Sequence, residues 1–526
     1  MYFQNLKKAV RNFFLIKKYE NLKRYSIISF FISLLAISPL FIYFRTINII
    51  FFYVAVVFLL FFISFFNKFL FIILTIYVAI SSSIIFSSYL KWGIKHEEFN
   101  SLIEVIIYSN PKEIIEYLES YISIIDLPIL LYFIVLITLL IKLFRTPVLN
   151  YLNIKILSTI SVTLLIVSLS YITKDKVPFY KIEPLSLASS INDVINKSKK
   201  FNLRNITINS YKRKHKVKNL IYDKVIIVLG ESVNKNFMGI YNEEFQTTPF
   251  LDSIKDELFI FNVISPATQT HNSIPLMFTT ADYKNPDLFL KKHSIITDFN
   301  LSGFKTFWIS NQEGRNLQIN NPITSIAKES NYTYFTVSDS FKSPPDFVLL
   351  DQIQTIEKEQ AVFRNKMYTI HLMGSHSSYD KRYEKKSSLF INPVNLSEEY
   401  QNTIHYTDKF FRELFNIIDL NNENTLLIYT SDHGEAVNNK NGGHGNFEPS
   451  KDEVEVPFIV YSNIKNPRID ELLVLNKIKL FNNSSFYSIV NYLSNINDSY
   501  DISNSPYIIA QSNKNLKNYF ELINFK

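Results

Sequence analysis

The chain has 526 residues, no cysteine and a formal net charge of +8. That length exceeds one ordinary domain, and the missing thiols exclude disulfides, thiolate nucleophiles and cysteine-ligated zinc. The positive charge does not argue for nucleic acid: much of it gathers in the first 24 residues and around 197–218, on either side of a hydrophobic region, where anionic lipid head groups explain it.

In chain order, five stretches come first, near 26–44, 47–66, 69–90, 124–143 and 154–172. Each is long and apolar enough to span a bilayer, which takes about 20 residues. Only helices satisfy their own backbone in lipid, so a five-span α-helical bundle over 1–175 is expected. Lys7, Lys8, Arg11, Lys17, Lys18, Lys23 and Arg24 place the N-terminus in the cytoplasm. Glu97, Glu98, Glu104, Glu113 and Glu116 fall on the far side. An odd number of spans then leaves everything after about residue 174 outside the cytoplasm. Between the third and fourth spans, Leu102, Ile103, Ile106, Ile107 and Ile114 recur at helical spacing. They predict a helix over 92–121, lying on the outer membrane surface or serving as an ordinary loop helix. The basic, Asn-rich stretch 176–222 reads as a linker along the membrane, leading to a catalytic domain over 223–526.

Within 223–526, the β-rich runs KVIIVL (224–229), KTFWIS (305–310), MYTIHLMG (367–374), TLLIYTSDHGE (425–435) and VPFIVYS (456–462) alternate with helical patterns such as 396–418. Alternation of this kind predicts an α/β sandwich with a mostly parallel sheet. Ligands in such sheets collect beyond the carboxyl ends of the strands. The polar clusters fall there: Glu231, His376 and the pair Asp432-His433. Carboxylates and imidazoles are the zinc ligands open to a chain without cysteine. A single histidine in a turn is usually only solvated. Asp432-His433-Gly434, with His444-Gly445 following, is harder to read that way, and Gly442-Gly443 allows a tight path back to the cluster.

The segment FNVISPATQTHNSIPLMF (261–278) ends a strand near Ser265 and starts a helix near Thr270. A threonine at a helix start can be an N-cap. It can equally meet a phosphate at the positive end of the dipole and act as a metal-activated nucleophile. Thr268 is the weaker candidate for that role.

Taken in order, the apolar spans, Gly230-Glu231-Ser232, Thr247-Thr248-Pro249, the T-x-x-S-x-P segment 270–275, His371-Leu372-Met373-Gly374-Ser375-His376, Ser431-Asp432-His433-Gly434-Glu435 and His444-Gly445 resemble the bacterial phosphoethanolamine transferases. That family shares the alkaline-phosphatase/sulfatase fold. The resemblance implies Thr270 as nucleophile and Glu231, Thr270, Asp432 and His433 as ligands of a catalytic zinc. His376 and His444 would contact the substrate phosphate or a second zinc, with a histidine as general acid or base. It implies phosphatidylethanolamine as donor and a lipopolysaccharide glycolipid, core sugar or lipid A, as acceptor, in an inner-membrane protein with a periplasmic catalytic domain. The lipid A subgroup's disulfides are absent. Its substrate-binding lysine has no obvious counterpart; Asn311 and Arg315 stand nearest. Both departures resemble the branch acting on core sugars.

Three rivals differ in class. A sulfatase needs C/S-x-P-x-R, and Met277 stands where Ser273-Ile274-Pro275 would need the arginine. A glycerophosphate transferase of the lipoteichoic acid synthase type shares five spans and a threonine nucleophile but favours manganese. A non-catalytic anchored protein would be expected to have lost some of the ligands.

Overall fold

The computed structural model describes residues 24–39, 47–92, 127–145, 185–209, 220–312, 321–336, 344–418, 423–437, 443–446, 448–503, 505–510 and 515–524. The chain divides into two compact units, one built mainly from residues before 194 and one from Val194 to Lys526.

In the first unit, residues 24–37, Ile47–Phe66, Lys68–Trp92 and Leu127–Arg145 are helices and lie where four of the five spans are expected. The fifth span and the helix expected over 92–121 lie outside the described residues. These helices bury small hydroxyls and expose hydrocarbon. Ser29, Ser33, Ser64, Thr75, Ser81 and Ser82 are buried, while Phe31, Phe69, Ile134, Ile137 and Phe144 face outward. Ser33 and Ser64 satisfy their hydroxyls on the carbonyls of Ser29 and Phe61 in their own helices. Across the residues whose side chains are described, no helix is long and apolar enough to cross a membrane. As backbone elements, Ile47–Phe66 has 20 residues without a charge and Lys68–Trp92 has 25.

The second unit is organised by an eight-stranded sheet. Its strands are β1 (Lys224–Gly230), β2 (Leu258–Ile264), β3 (Lys305–Ser310), β4 (Tyr332–Phe335), β5 (Lys366–His371), β6 (Thr425–Ser431), β7 (Glu455–Ser462) and β8 (Phe481–Asn482), in the order β4-β3-β5-β1-β6-β7-β2-β8. All run parallel except β7, which opposes both neighbours. The central strands are buried throughout and read as unbroken apolar runs, as strands covered on both faces do. Successive side chains serve opposite cores. Val225, Ile227 and Leu229 of β1 pack with Trp308 and with Ile274, Met277 and Phe278 of the helix Thr270–Phe278. Ile226 and Val228 pack with Phe307 and Ile309 and with the helices Val348–Glu359 and Leu396–Ile417. The expected α/β sandwich with a mostly parallel sheet is therefore present, and six of its seven parallel strands end at one edge with a polar residue next in sequence.

One stretch departs from expectation. Composition made 176–222 a linker, yet Leu185–Asn209 is a helix whose C-terminal half packs within the second unit. The Phe201 ring packs 5.8 Å from that of Phe289, tilted by 35°. Arg204, fully buried, pairs with Glu329 at 2.5 Å and donates to the carbonyls of Phe289, Ser325 and Lys292. Charge counting reads such an arginine as solvated. Five donors in a planar fork are what allow it to be buried instead.

Candidate active site

Glu231 is the first residue after β1 and is buried to 1% exposure. Ser232 follows at φ +59°, a left-handed conformation that a non-glycine residue adopts at a cost of order 1–3 kcal/mol. That bend turns both residues into the site. The Ser232 hydroxyl donates to Glu231 Oε1 at 2.8 Å, and its amide donates to Asp432 Oδ1 at 3.2 Å. Behind them Gly374, at φ +52°, lies so close that a Cβ would sit 2.8 Å from the Glu231 carbonyl oxygen. Only glycine allows that approach.

Asp432 and His433 come at the end of β6. The His433 amide donates to Asp432 Oδ1 at 2.8 Å, and its Nδ1–H donates to the Gly434 carbonyl at 2.9 Å, so Nε2 faces the carboxylates. It lies 3.3 Å from Glu231 Oε1 and 3.4 Å from Asp432 Oδ2. Thr270 enters from the opposite side. Its hydroxyl donates to Glu231 Oε2 at 3.1 Å and is 3.3 Å from His433 Nε2. The N-cap of the helix Thr270–Phe278 is Gln269, with no side-chain cap bond, so Thr270 is the first helical residue and not the cap. Ser265, just after β2, bonds both the Asp432 carbonyl and the Ser273 hydroxyl, tying the helix start to β6. Thr268 is buried, and its hydroxyl has no hydrogen-bond partner.

Two buried carboxylates side by side repel. Burial and then the Glu231 charge push Asp432 up to about 7. Burial would also raise Glu231, but the His433 hydrogen bond and charge, with His376 and His444 beyond, hold it well below the carboxylate range. Burial lowers His433, yet the Asp432 and Glu231 charges outweigh it and carry the imidazole up to about 10. Such a cluster calls for a positive charge. Glu231, Asp432 and His433 bring one ligand atom each to within 4.8 Å of one another, and Asp432 Oδ2 is buried without a hydrogen-bond donor. Two carboxylate oxygens, an imidazole nitrogen and the adjacent Thr270 hydroxyl form a donor set that fits a zinc-like dication.

His444 returns to this point because Ala436 and Gly443 form an antiparallel bridge, with Gly443 at φ +93°. Its ring is 4.2 Å from that of His433 and 5.9 Å from that of His376. Its Nδ1–H donates to Glu435 Oε2 at 2.7 Å, and Tyr379 donates to Glu435 Oε1 at 2.7 Å. His376 engages Nδ1 with the Ser377 carbonyl at 2.9 Å. In all three histidines the Nδ1 contact leaves Nε2 as the second ring nitrogen. His433, Glu435 and His444 form a second group with metal-like spacing.

Asn311 does not join the site as expected. It is buried, and its amide donates to Asp346 Oδ1 and the Pro344 carbonyl, both at 2.8 Å. Asp346 in turn accepts from the amides of Met373 and Gly374, so Asn311 braces the loop that carries His376. The next residue takes the expected place: Gln312 Nε2 donates to Glu231 Oε2 and to the Leu372 carbonyl, both at 2.9 Å. Consecutive residues at a strand end point to opposite sides, and sequence alone does not fix which one faces in. Arg315 lies outside the described residues. Glu435 was visible as the last residue of Ser431-Asp432-His433-Gly434-Glu435, but only the fold reveals its partner.

Residues 223–502 match the model of the sulfatase family. The chain belongs to that family. It is 28% identical over 263 residues to phosphoethanolamine transferase EptC of Escherichia coli K12, covering 46% of this chain and 45% of the relative. It is 29% identical over 261 residues to phosphoethanolamine transferase EptA of Helicobacter pylori, covering 45% and 47%. The chain thus spans about half the length of the curated relatives it matches. Among solved structures, the integral membrane protein lipooligosaccharide phosphoethanolamine transferase A from Neisseria meningitidis superposes with a TM-score of 0.60 at 17% identity, over 91% of this chain and 96% of that one. At that identity the likeness shows the fold alone.

Proposed function

We propose that this sulfatase-family chain is a phosphoethanolamine transferase of the bacterial inner membrane. In this reading it moves phosphoethanolamine from phosphatidylethanolamine to a lipopolysaccharide glycolipid, core sugar or lipid A, in the periplasm. The observation that carries the reading is the Thr270 hydroxyl, presented at a helix start between Glu231 Oε2 and His433 Nε2. The names of the relatives supply the transferred group. The buried serines and outward hydrocarbon of the N-terminal helices support a bundle in lipid.

Thr270 Oγ1 attacks the phosphorus of the donor. The Thr O–P bond forms, the bond to diacylglycerol breaks, and the hydroxyl proton ends on the departing diacylglycerol oxygen. In the second half an acceptor hydroxyl, of a sugar or of a protonated phosphate, attacks the same phosphorus; the Thr270 O–P bond breaks, and the proton lost by the acceptor returns to Thr270 Oγ1. His376 and His444 hold or pass that proton through Nε2, and Glu435 fixes the His444 ring. Zinc held by Glu231, Thr270, Asp432 and His433 would supply positive charge against the phosphoryl oxygens and lower the threonine pKa. In this reading a second zinc would draw on His376 and His444, because His433 has its Nε2 committed to the first ion and its Nδ1–H to the Gly434 carbonyl.

The test is intact-protein mass spectrometry after incubation with zinc and phosphatidylethanolamine, beside Thr270→Ala. One phosphoethanolamine adduct on the wild type and none on the variant is expected. An adduct of glycerophosphate from phosphatidylglycerol, favoured by manganese, would instead identify the teichoic-acid-type transferase.

A further inference from the structure

β5 ends at His371, and the chain then arches over 372–377, against the backbone of Glu231, to present His376. Opposite charges hold the two kinds of backbone group in this arch. Asp346, buried, accepts from the amides of Met373 and Gly374 at 2.8 and 2.9 Å. Arg382, only 3% exposed, donates from Nε to the His376 carbonyl at 3.0 Å and from Nη2 to the Ser377 carbonyl at 2.8 Å. Burial pushes the Asp346 carboxyl up, and the Arg382 charge is among the groups that pull against it. Anion and cation therefore act on one arch together.

A carbonyl only accepts. His376 Nδ1 meets the Ser377 carbonyl at 2.9 Å, so in the neutral ring the proton sits on Nδ1 and Nε2 keeps the lone pair. The same oxygen accepts from Arg382, so one carbonyl joins the guanidinium to the imidazole. Arg382 also closes the turn Tyr379–Lys381, its amide donating to the Tyr379 carbonyl at 2.9 Å. Tyr379 donates to Glu435 Oε1, and Glu435 Oε2 holds Nδ1–H of His444. The turn 379–382 thus reaches both imidazoles, whose rings lie 5.9 Å apart.

Burying a charge is costly unless its hydrogen bonds are made, and a neutral side chain could close a turn without that cost. Arginine suits this place for two reasons. Its planar fork spans the carbonyls of consecutive residues, and it does not lose its proton. Its grip is the same before and after His376 exchanges a proton.

We propose that Arg382 is a positioning residue for His376. It fixes the Ser377 carbonyl and, through it, the Nδ1–H form and orientation of the imidazole, while the same turn sets His444 by way of Tyr379 and Glu435. The proton-carrying role of the two histidines rests on the transferase reading; the hold on His376 does not.

The test uses the full chain with one equivalent of zinc. Arg382→Lys keeps the buried charge and loses the fork; Arg382→Gln loses both. Each is made alone and together with His376→Gln. Isotopic labelling of histidine nitrogen, with His376→Gln to assign the signal, reads the tautomer by magnetic resonance at a pH of about 8.5, above the ordinary imidazole range. An Nδ1–H pattern in the unaltered chain, and a proton shared between both nitrogens in each Arg382 variant, is expected. A His376 signal unmoved by either variant overturns the proposal. Thr270 adduct formation at saturating phosphatidylethanolamine should slow about 10- to 100-fold in Arg382→Lys, as expected for a misplaced group, with KM changed less than about twofold. Together with His376→Gln the same substitution should cost less than about twofold, because residues acting through one another are not additive. An equal loss with and without His376 overturns the proposal and makes Arg382 a support of the fold alone. The imidazole signal needs no turnover. An unaltered chain that forms no adduct therefore defeats the transferase reading, whereas an unmoved tautomer defeats the positioning role.

Discussion

Glu231 is gripped by neighbours that differ in kind. Ser232 and His433 meet Oε1, while Thr270 and Gln312 meet Oε2. Gln312 also reaches the chain just past β5, through the Leu372 carbonyl. A carboxamide there fixes the rotation of the carboxylate without competing for a cation. Gln312→Ala should therefore weaken zinc binding about 10- to 100-fold, the usual cost of losing a group that orients a metal ligand. Gln312→Glu should weaken it further, because a third carboxylate would crowd Asp432, already pushed up to about 7 by burial and by Glu231. Competition against a chromophoric chelator measures both. Unchanged affinity in Gln312→Ala would mean that the amide only braces the loop.

At the scale of elements, the unexpected contributor is the helix Leu185–Asn209. Arg204 is buried among three carbonyls and Glu329, and Glu329 also accepts from the Ser294 amide and hydroxyl and from Thr297. This single ion pair fastens the approach helix to the loops beneath β3 and β4. Removing one partner of a buried pair leaves the other charge uncompensated, which costs about 3–5 kcal/mol. Arg204→Ala should lower the thermal midpoint of the catalytic unit and open the helix to limited proteolysis. Arg204→Met with Glu329→Gln should recover most of the loss, because neither charge remains buried alone. Proteolysis and calorimetry of the full chain separate the two cases. A single substitution without effect would return 185–209 to the linker that composition suggested.

For the whole molecule, the question is which solvent each unit meets. The first unit turns hydrocarbon outward and hydroxyls inward, whereas the second buries hydrocarbon on both faces of its sheet. Lysine and arginine before residue 25 and acidic residues near 97–116 are the basis of the expectation that the N-terminus lies in the cytoplasm. A cysteine placed at exposed Val362 should therefore react with a membrane-impermeant maleimide in cells whose outer membrane has been permeabilised. One placed at Lys8 should react only after lysis. The reverse labelling pattern, or both protected until lysis, would overturn the expected five-span topology.

Strand periodicity, the polar residues after each strand and the Asp432-His433 pair could be read from the chain, because burial on two faces and ligand chemistry each leave a local mark. Thr270 was legible as a helix start, but its contacts with Glu231 and His433, 39 and 163 positions away, were not. Asn311 and Gln312 are neighbours with opposite fates, set by which side of β3 the chain leaves. Arg204 looked like one more linker charge until Glu329 and three carbonyls met it. The sequence by itself determined which segments are apolar, which form strands and which chemistries are available. Only the tertiary structure decided which side chains converge, because contact across a parallel sheet joins residues that share no local pattern.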